Sequence, residues 1–162
     1  MTGRALIIGY GNVLRTDDGV GRHVAERLAV DPRLAGATVL GVHQLTPELA
    51  LDLSRADLLV LIDAAHGPAA GTHMIERVAG SGRAANNTWS HHLDPAGLIA
   101  LAEELYGHAP ATFVVTVGVE SLDAGDRLSP ALESALPGIL DAVVGLIMDA
   151  SHSMPAGSLG HA

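Results

Sequence analysis

The sequence predicts an α/β fold with three layers, a mainly parallel twisted sheet, helices on both faces and one antiparallel strand. Short continuous apolar runs at residues 5–8 and 58–62 have the length and composition of parallel strands buried on both faces. Segments with apolar residues at helical spacing alternate with these runs. The pairs Thr46-Pro47, Asp94-Pro95 and Ser129-Pro130 each set a capping side chain before a proline, which needs no amide hydrogen in a first helical turn.

Taken in order, Ala5-Leu6-Ile7-Ile8 forms the first strand, ended by Gly9. From Asp18 onward Val20, Val24 and Leu28 recur at four-residue spacing with Arg22, His23, Glu26 and Arg27 between them, an amphipathic helix that Asp31-Pro32 ends. Residues 38–42 are the second strand, and the helix opened by Thr46 reaches about Ala56. Residues 58–62 are the third strand, closed by Asp63 ahead of the Gly67-Pro68 breaker. Residues 72–78 alternate weakly and predict a short strand, and residues 79–87, rich in Gly, Ala and Asn, a mobile loop. The helix opened by Asp94 carries Leu98, Leu101, Ala102 and Leu105 on one face, and residues 112–119 are a strand. The last helix turns Leu132, Leu136, Ile139, Leu140, Val143 and Ile147 to the core, with a kink expected at Pro137-Gly138. Residues 151–162 are small and polar and predict a disordered tail.

Composition narrows the function. The length of 162 residues suits one domain, and 9 Lys and Arg against 18 Asp and Glu give a net charge of -9 that repels a phosphate backbone, so nucleic acid is a poor partner. With no cysteine there is no disulfide framework, thiolate zinc site or cysteine nucleophile, and any metal is held by oxygen and imidazole nitrogen. The start, Met1-Thr2-Gly3-Arg4, runs into an apolar stretch too short for a signal peptide or membrane span, and the expectation is a cytoplasmic protein. Only Trp89, Tyr10, Tyr106 and Phe113 are aromatic, so the core rests on Ala, Val, Leu and Ile.

In open α/β sheets ligands bind outside the carboxyl ends of strands, and three segments lie there. Gly9-Tyr10-Gly11-Asn12-Val13-Leu14 invites a dinucleotide reading, but Leu14 stands where the third glycine belongs and the second strand ends in Gly41-Val42-His43-Gln44, with no acid to hold a ribose. Asp17 and Asp18 set two negative charges where a phosphate would sit, so a nucleotide is disfavoured. These acids suit either a hard cation or the helix dipole, an effect of ~0.3–1 kcal/mol, and because adjacent acids point in different directions one is left free for chemistry. Asp63 sets a carboxylate at a strand end, either as a turn cap or as a partner to Asp18. Ser90-His91-His92-Leu93 precedes a helix, where an imidazole is either solvated or completes an oxygen and nitrogen site. His66 and His73 read as surface residues. No Gly-any-Ser-any-Gly elbow follows a strand, which sets serine catalysis aside.

Gly9-Tyr10-Gly11-Asn12 with Leu14, Asp17-Asp18-Gly19 and Gly21, then Asp63, then Ser90-His91-His92, closely resembles the nickel-iron hydrogenase maturation protease family. The runs His43-Gln44-Leu45-Thr46-Pro47-Glu48-Leu49 and His91-His92-Leu93-Asp94-Pro95 resemble one branch of it. The likeness covers residues 4–149, nearly the whole domain. It implies an endopeptidase that removes the C-terminal extension of a hydrogenase large-subunit precursor, with Asp18, Asp63 and His92 as the residues that contact nickel brought in by that precursor. Either His91 or His92 fits the register, and the family's Ser-any-His pattern favours His92. Cleavage would then use a carbonyl polarised, or a water activated, by that metal, with a nearby carboxylate as general base. Asn12 and Asp17 are expected to orient the ligands. Val13 and Thr16 stand where many relatives have Pro and Gly, a departure that bears on loop stiffness. A precursor-binding or nickel-binding chaperone with the same ligands is the nonenzymatic alternative.

Overall fold

The computed structural model describes residues 3–79 and 93–153. Five strands form one sheet in the order β2-β1-β3-β5-β4, with β1 (Ala5–Tyr10), β2 (Thr38–Val42), β3 (Leu58–Ala65) and β5 (Ala111–Gly118) parallel. The edge strand β4 (His73–Val78) runs antiparallel to β5. Three layers with one antiparallel strand are what the sequence predicts.

Alternation along the buried strands divides the core in two. Ile7, Val60, Ile62, Val115 and Val117 pack against α1 (Val20–Leu28) and α4 (Pro130–Ser153). Leu6, Ile8, Leu59, Leu61 and Val114 pack against α2 (Leu49–Ser54) and α3 (Pro95–Tyr106). By length and composition α4 is apolar enough to cross a membrane, but Leu132, Leu136, Ile139, Val143, Val144 and Ile147 are buried against the sheet, the pattern of a core helix.

Several boundaries differ from the sequence reading for identifiable reasons. Gly9 does not end β1, because it lies inside the ladder, paired with Gly41 on one side and Ile62 on the other. Asp63 does not close β3, which continues to Ala65 because β5 goes on pairing with it, Asp63 opposite Thr116. The acids Asp17 and Asp18 sit in a 3-10 turn (Thr16–Gly19) ahead of α1, whose N-cap is Gly19 with no side-chain cap. That first helix ends at Leu28, and Asp31 instead caps the short 3-10 turn Pro32–Leu34. Thr46 makes no cap bond, and α2 is shorter than expected, starting at Leu49 and ending at Ser54. Asp94 does cap α3, accepting from the Gly97 amide at 2.7 Å, but Leu105 is 57% exposed because that helix also buries Gly97, Ile99 and Ala100, turning Leu105 outward. Pro137 lies inside α4, which is one continuous element. The helix runs through Ser153, three residues into the expected tail, and its last side chains turn back on it: Ser153 Oγ donates to the Asp149 carbonyl at 2.9 Å and His152 Nδ1 lies 2.6 Å from the Met148 carbonyl.

The first helix sits close on the sheet because two glycines face each other. A Cβ on Gly9 would lie 1.9 Å from the Gly21 carbonyl oxygen, and one on Gly21 would lie 2.3 Å from the Ile62 carbonyl oxygen. Both obstacles are backbone, so neither can swing aside. Gly21→Ala is expected to cost about 3 kcal/mol or more through overpacking. In α4, where a Cβ on Gly145 meets nothing within 4 Å, Gly145→Ala is expected to gain about 0.5–1 kcal/mol. Urea unfolding midpoints of the two variants against the parent check both signs.

Candidate active site

The chain leaves β1 to form β2 on one side and returns past it to form β3 on the other, so the carboxyl ends of β1 and β3 bound the topological switch point. An open cleft of about 380 Å³ lies there. Tyr10, Gly11, Asn12 and Asp18 line it from β1 and the following loop, His43, Gln44 and Leu45 from the segment after β2, Asp63 from β3, and Leu93, Asp94 and Pro95 from the start of α3.

Tyr10 and Asp63 are level on adjacent parallel strands, one step beyond the Gly9–Ile62 pair, and alternation turns both to the α2 and α3 face. Burial, the Asp63 charge and the interaction of the two side chains push the Tyr10 phenol well above its ordinary range, and Asp94 adds to the rise. Burial also pushes the Asp63 carboxyl up, while the Tyr10 hydroxyl and the Ala64 amide pull it back and the Asp18 charge raises it further. The net is an Asp63 that holds its proton more tightly than an ordinary aspartate.

Asp18 reaches the cleft because the loop is bent beneath it. The Asn12 amide donates to Asp18 Oδ2 at 2.9 Å, and Gly11, at φ 144, leaves room for the Asp18 carbonyl where a Cβ would stand 2.0 Å away. Asp17 turns the opposite way and is fully buried. Its carboxylate accepts from the amides of Glu120 (2.9 Å), Ser121 (3.0 Å) and Ser129 (2.7 Å) and from the Ser129 hydroxyl (2.8 Å). Burial alone would raise this carboxyl, but the amides of Ser129, Ser121 and Glu120 and then the Ser129 hydroxyl hold it below the usual carboxylate range.

Of the three residues singled out from the sequence, Asp18 and Asp63 face one cleft, and His92 lies outside the described residues together with Ser90 and His91. Among the described residues no group of three or more His, Asp or Glu side chains is arranged to hold a metal. Asn12 touches Asp18, as expected of an orienting residue. Asp17 does not: it acts at a distance, by fastening the loop to the segment before α4, and the Ser129 hydroxyl that looked like a helix cap donates to it. His66 and His73 are exposed. Tyr10 joins the cleft although nothing in the sequence singles it out beyond its place two residues after Ile8, at the end of a buried strand.

No family model matches the sequence, and no curated protein does. Solved structures do match. The hydrogenase maturating endopeptidase HybD from E. coli is 26% identical, with a TM-score of 0.68 over 91% of this chain and 93% of that one. An endopeptidase from Escherichia coli is 27% identical, with a TM-score of 0.69 over the same shares, 91% and 93%. This is the hydrogenase maturation protease fold. The NiFe hydrogenase maturation protease HycI from Thermococcus kodakarensis KOD1, at 21% identity, has it too, with a TM-score of 0.68 over 91% of this chain and 94% of that one. The structural homologues of this chain are thus hydrogenase maturation endopeptidases, which supports a role in hydrogenase maturation.

Within this maturation-protease fold Asp17 and Asp63 have opposite consequences for stability. Replacing Asp17 by Asn is expected to cost about 2–4 kcal/mol at pH 7, since the amide nitrogen that replaces one carboxylate oxygen faces at least one buried donor, and the remaining bonds lose their charge assistance. Because the folded pKa of Asp17 is depressed, its contribution is complete above the ordinary aspartate value of about 3.9 and fades as pH falls through the lower folded value. The gap between parent and Asp17→Asn should therefore be constant above about pH 5 and narrow below it, in urea titrations at a series of pH values. Asp63→Asn should raise the melting temperature at pH 7, because the raised folded pKa means that ionised Asp63 opposes folding. That gain should shrink as pH falls toward the ordinary carboxyl range, where Asp63 is protonated in the fold.

Proposed function

We propose that this chain is an endopeptidase that removes the C-terminal extension of a nickel-loaded hydrogenase large-subunit precursor. One observation carries the reading: Asp18 and Asp63 converge on a cleft at the switch point of a fold shared with hydrogenase maturating endopeptidases. Nickel on this reading is the precursor's cargo, and Asp18, Asp63 and His92 are proposed as its contacts. The first two fit a divalent ion by chemistry, since both are hard oxygen donors in a chain without thiolates.

Within the cleft each residue then has a task. Asp18, held through the Asn12 amide, fixes where the cargo docks. Asp63 binds a proton more tightly than an ordinary aspartate because it is buried, with the Asp18 charge adding to the effect, which suits it to accept the proton of an attacking water. Tyr10 occupies the wall behind it and excludes solvent. The precursor's metal, when docked, would polarise the scissile carbonyl. Proteolysis on this scheme waits for nickel, because an unloaded precursor brings neither the docking contact nor the electrophile.

The test is mass spectrometry of a coexpressed large-subunit precursor, with and without nickel, beside the parent chain and the variants Asp18→Asn, Asp63→Asn and His92→Ala. Expected is nickel-dependent loss of a C-terminal peptide with the parent and at least a ~100-fold slower loss with each carboxylate variant, the scale on which acid–base catalysis contributes. A loaded precursor that stays full length beside its cognate partner would instead favour the chaperone.

A further inference from the structure

Leu14 is 65% exposed, and among the described residues it is the large exposed apolar side chain carried by the loop that bears Asn12 and Asp18. A single exposed leucine ordinarily needs no explanation. Here its presentation is unusually fixed. The Leu14 amide donates to Asn12 Oδ1 at 2.9 Å, its carbonyl accepts from the Gly125 amide at 2.9 Å, and Arg15 pairs with Gly125 in an isolated bridge. Two residues on, Thr16 holds a left-handed backbone at φ 49, secured by its amide to the Gly125 carbonyl at 2.9 Å and its hydroxyl to the Asp123 carbonyl at 2.6 Å. Such a backbone costs of order 1–3 kcal/mol at a residue with a Cβ and persists only where its surroundings over-determine it. The backbone on both sides of this leucine is thus braced while its side chain stays exposed.

Asn12 links that leucine to the cleft. Its side chain accepts from the Leu14 amide while its own amide donates to Asp18, so one residue ties the Leu14 backbone to the carboxylate in the cleft. We infer that Leu14 is the apolar anchor that seats the large-subunit precursor beside the cleft, entering an apolar recess on the precursor next to its C-terminal extension. The inference rests on the proposed function and deepens it by naming a contact outside the acidic cleft. Rigid presentation fits this role, since a side chain already held in its bound position loses little freedom on docking. An apolar anchor also suits an acidic protein, because a net charge of -9 steers partners but offers no apolar grip of its own.

The test uses the full chain and its nickel-loaded precursor, comparing the parent with Leu14→Ser and Leu14→Met. Leu14 is exposed, so thermal midpoints should agree, which separates docking from folding. Expected for Leu14→Ser is a KM for peptide release raised about 10-fold with kcat within about twofold, from the loss of a buried apolar contact. Leu14→Met, which keeps an apolar side chain of similar size, should bring KM back to within about threefold of the parent. A KM for Leu14→Ser within about twofold of the parent, or a fall in kcat alone, overturns the inference while leaving the protease reading intact. If the parent binds the precursor without cutting it, the protease reading fails. Direct binding then decides the anchor: about 10-fold weaker for Leu14→Ser upholds it, and equal affinity overturns it. A precursor that is neither bound nor cut removes both.

Discussion

The Asp17 carboxylate has no exposed surface and accepts four hydrogen bonds from residues 103 to 112 positions away in the chain. A buried charge left unpaired would be costly, so the segment from Glu120 to Ser129 can lie against the first loop only with its amides turned inward to this group. That one constraint fixes much else. It ties the start of α4 to the loop after β1, it joins the Thr16 and Gly125 backbones, and it turns the 3-10 turn so that the adjacent Asp18 faces the cleft. Two neighbouring acids therefore divide the work: one is satisfied so that the other can remain exposed to a ligand.

The glycine contact does the same for the sheet. With no side chain on Gly9 or Gly21, the first turn of α1 rests on the backbone of β1 and β3, and the loop between must fold sharply over the strand ends. A glycine-rich loop at this point usually admits a phosphate. Here the space is taken by the protein's own backbone and the carboxylates beside it, so the same local geometry serves a cleft of opposite charge.

What could be read in the sequence was what depends on neighbours in the chain. Apolar runs and helical spacing give the strands, the helices and their order, and a polar residue after a buried run locates Asp18 and Asp63 at the carboxyl edge of the sheet. The Asp94 cap is local and was legible, while the partner of Ser129 lies 112 residues away and was not. Gly9 read as a strand end because its real reason, the carbonyl of Gly21, belongs to another element. The end of β3 was misplaced for the same cause, since pairing with β5 rather than local composition carries it past Asp63. The packing of Tyr10 beside Asp63 follows from strand register, which a single apolar run does not specify.

Thr16 shows how far such constraints reach. At φ 49 a glycine would sit without strain, and the resemblance places glycine there in many relatives, so the sequence suggested a change in loop stiffness. The threonine keeps the loop stiff by other means, adding a hydroxyl bond to the Asp123 carbonyl that a glycine lacks. Strain at Thr16 and unfavourable ionisation at Asp63 both weaken the free protein, one in the loop that carries Asp18 and the other on the strand that faces it across the cleft. Each is relieved or exploited by something arriving from outside: a positive charge between the carboxylates lowers the cost of ionising Asp63, and a partner covering the braced loop makes use of its rigidity. A chain selected for stability alone would keep neither feature, and on the proposed function that cost is spent where the precursor would dock.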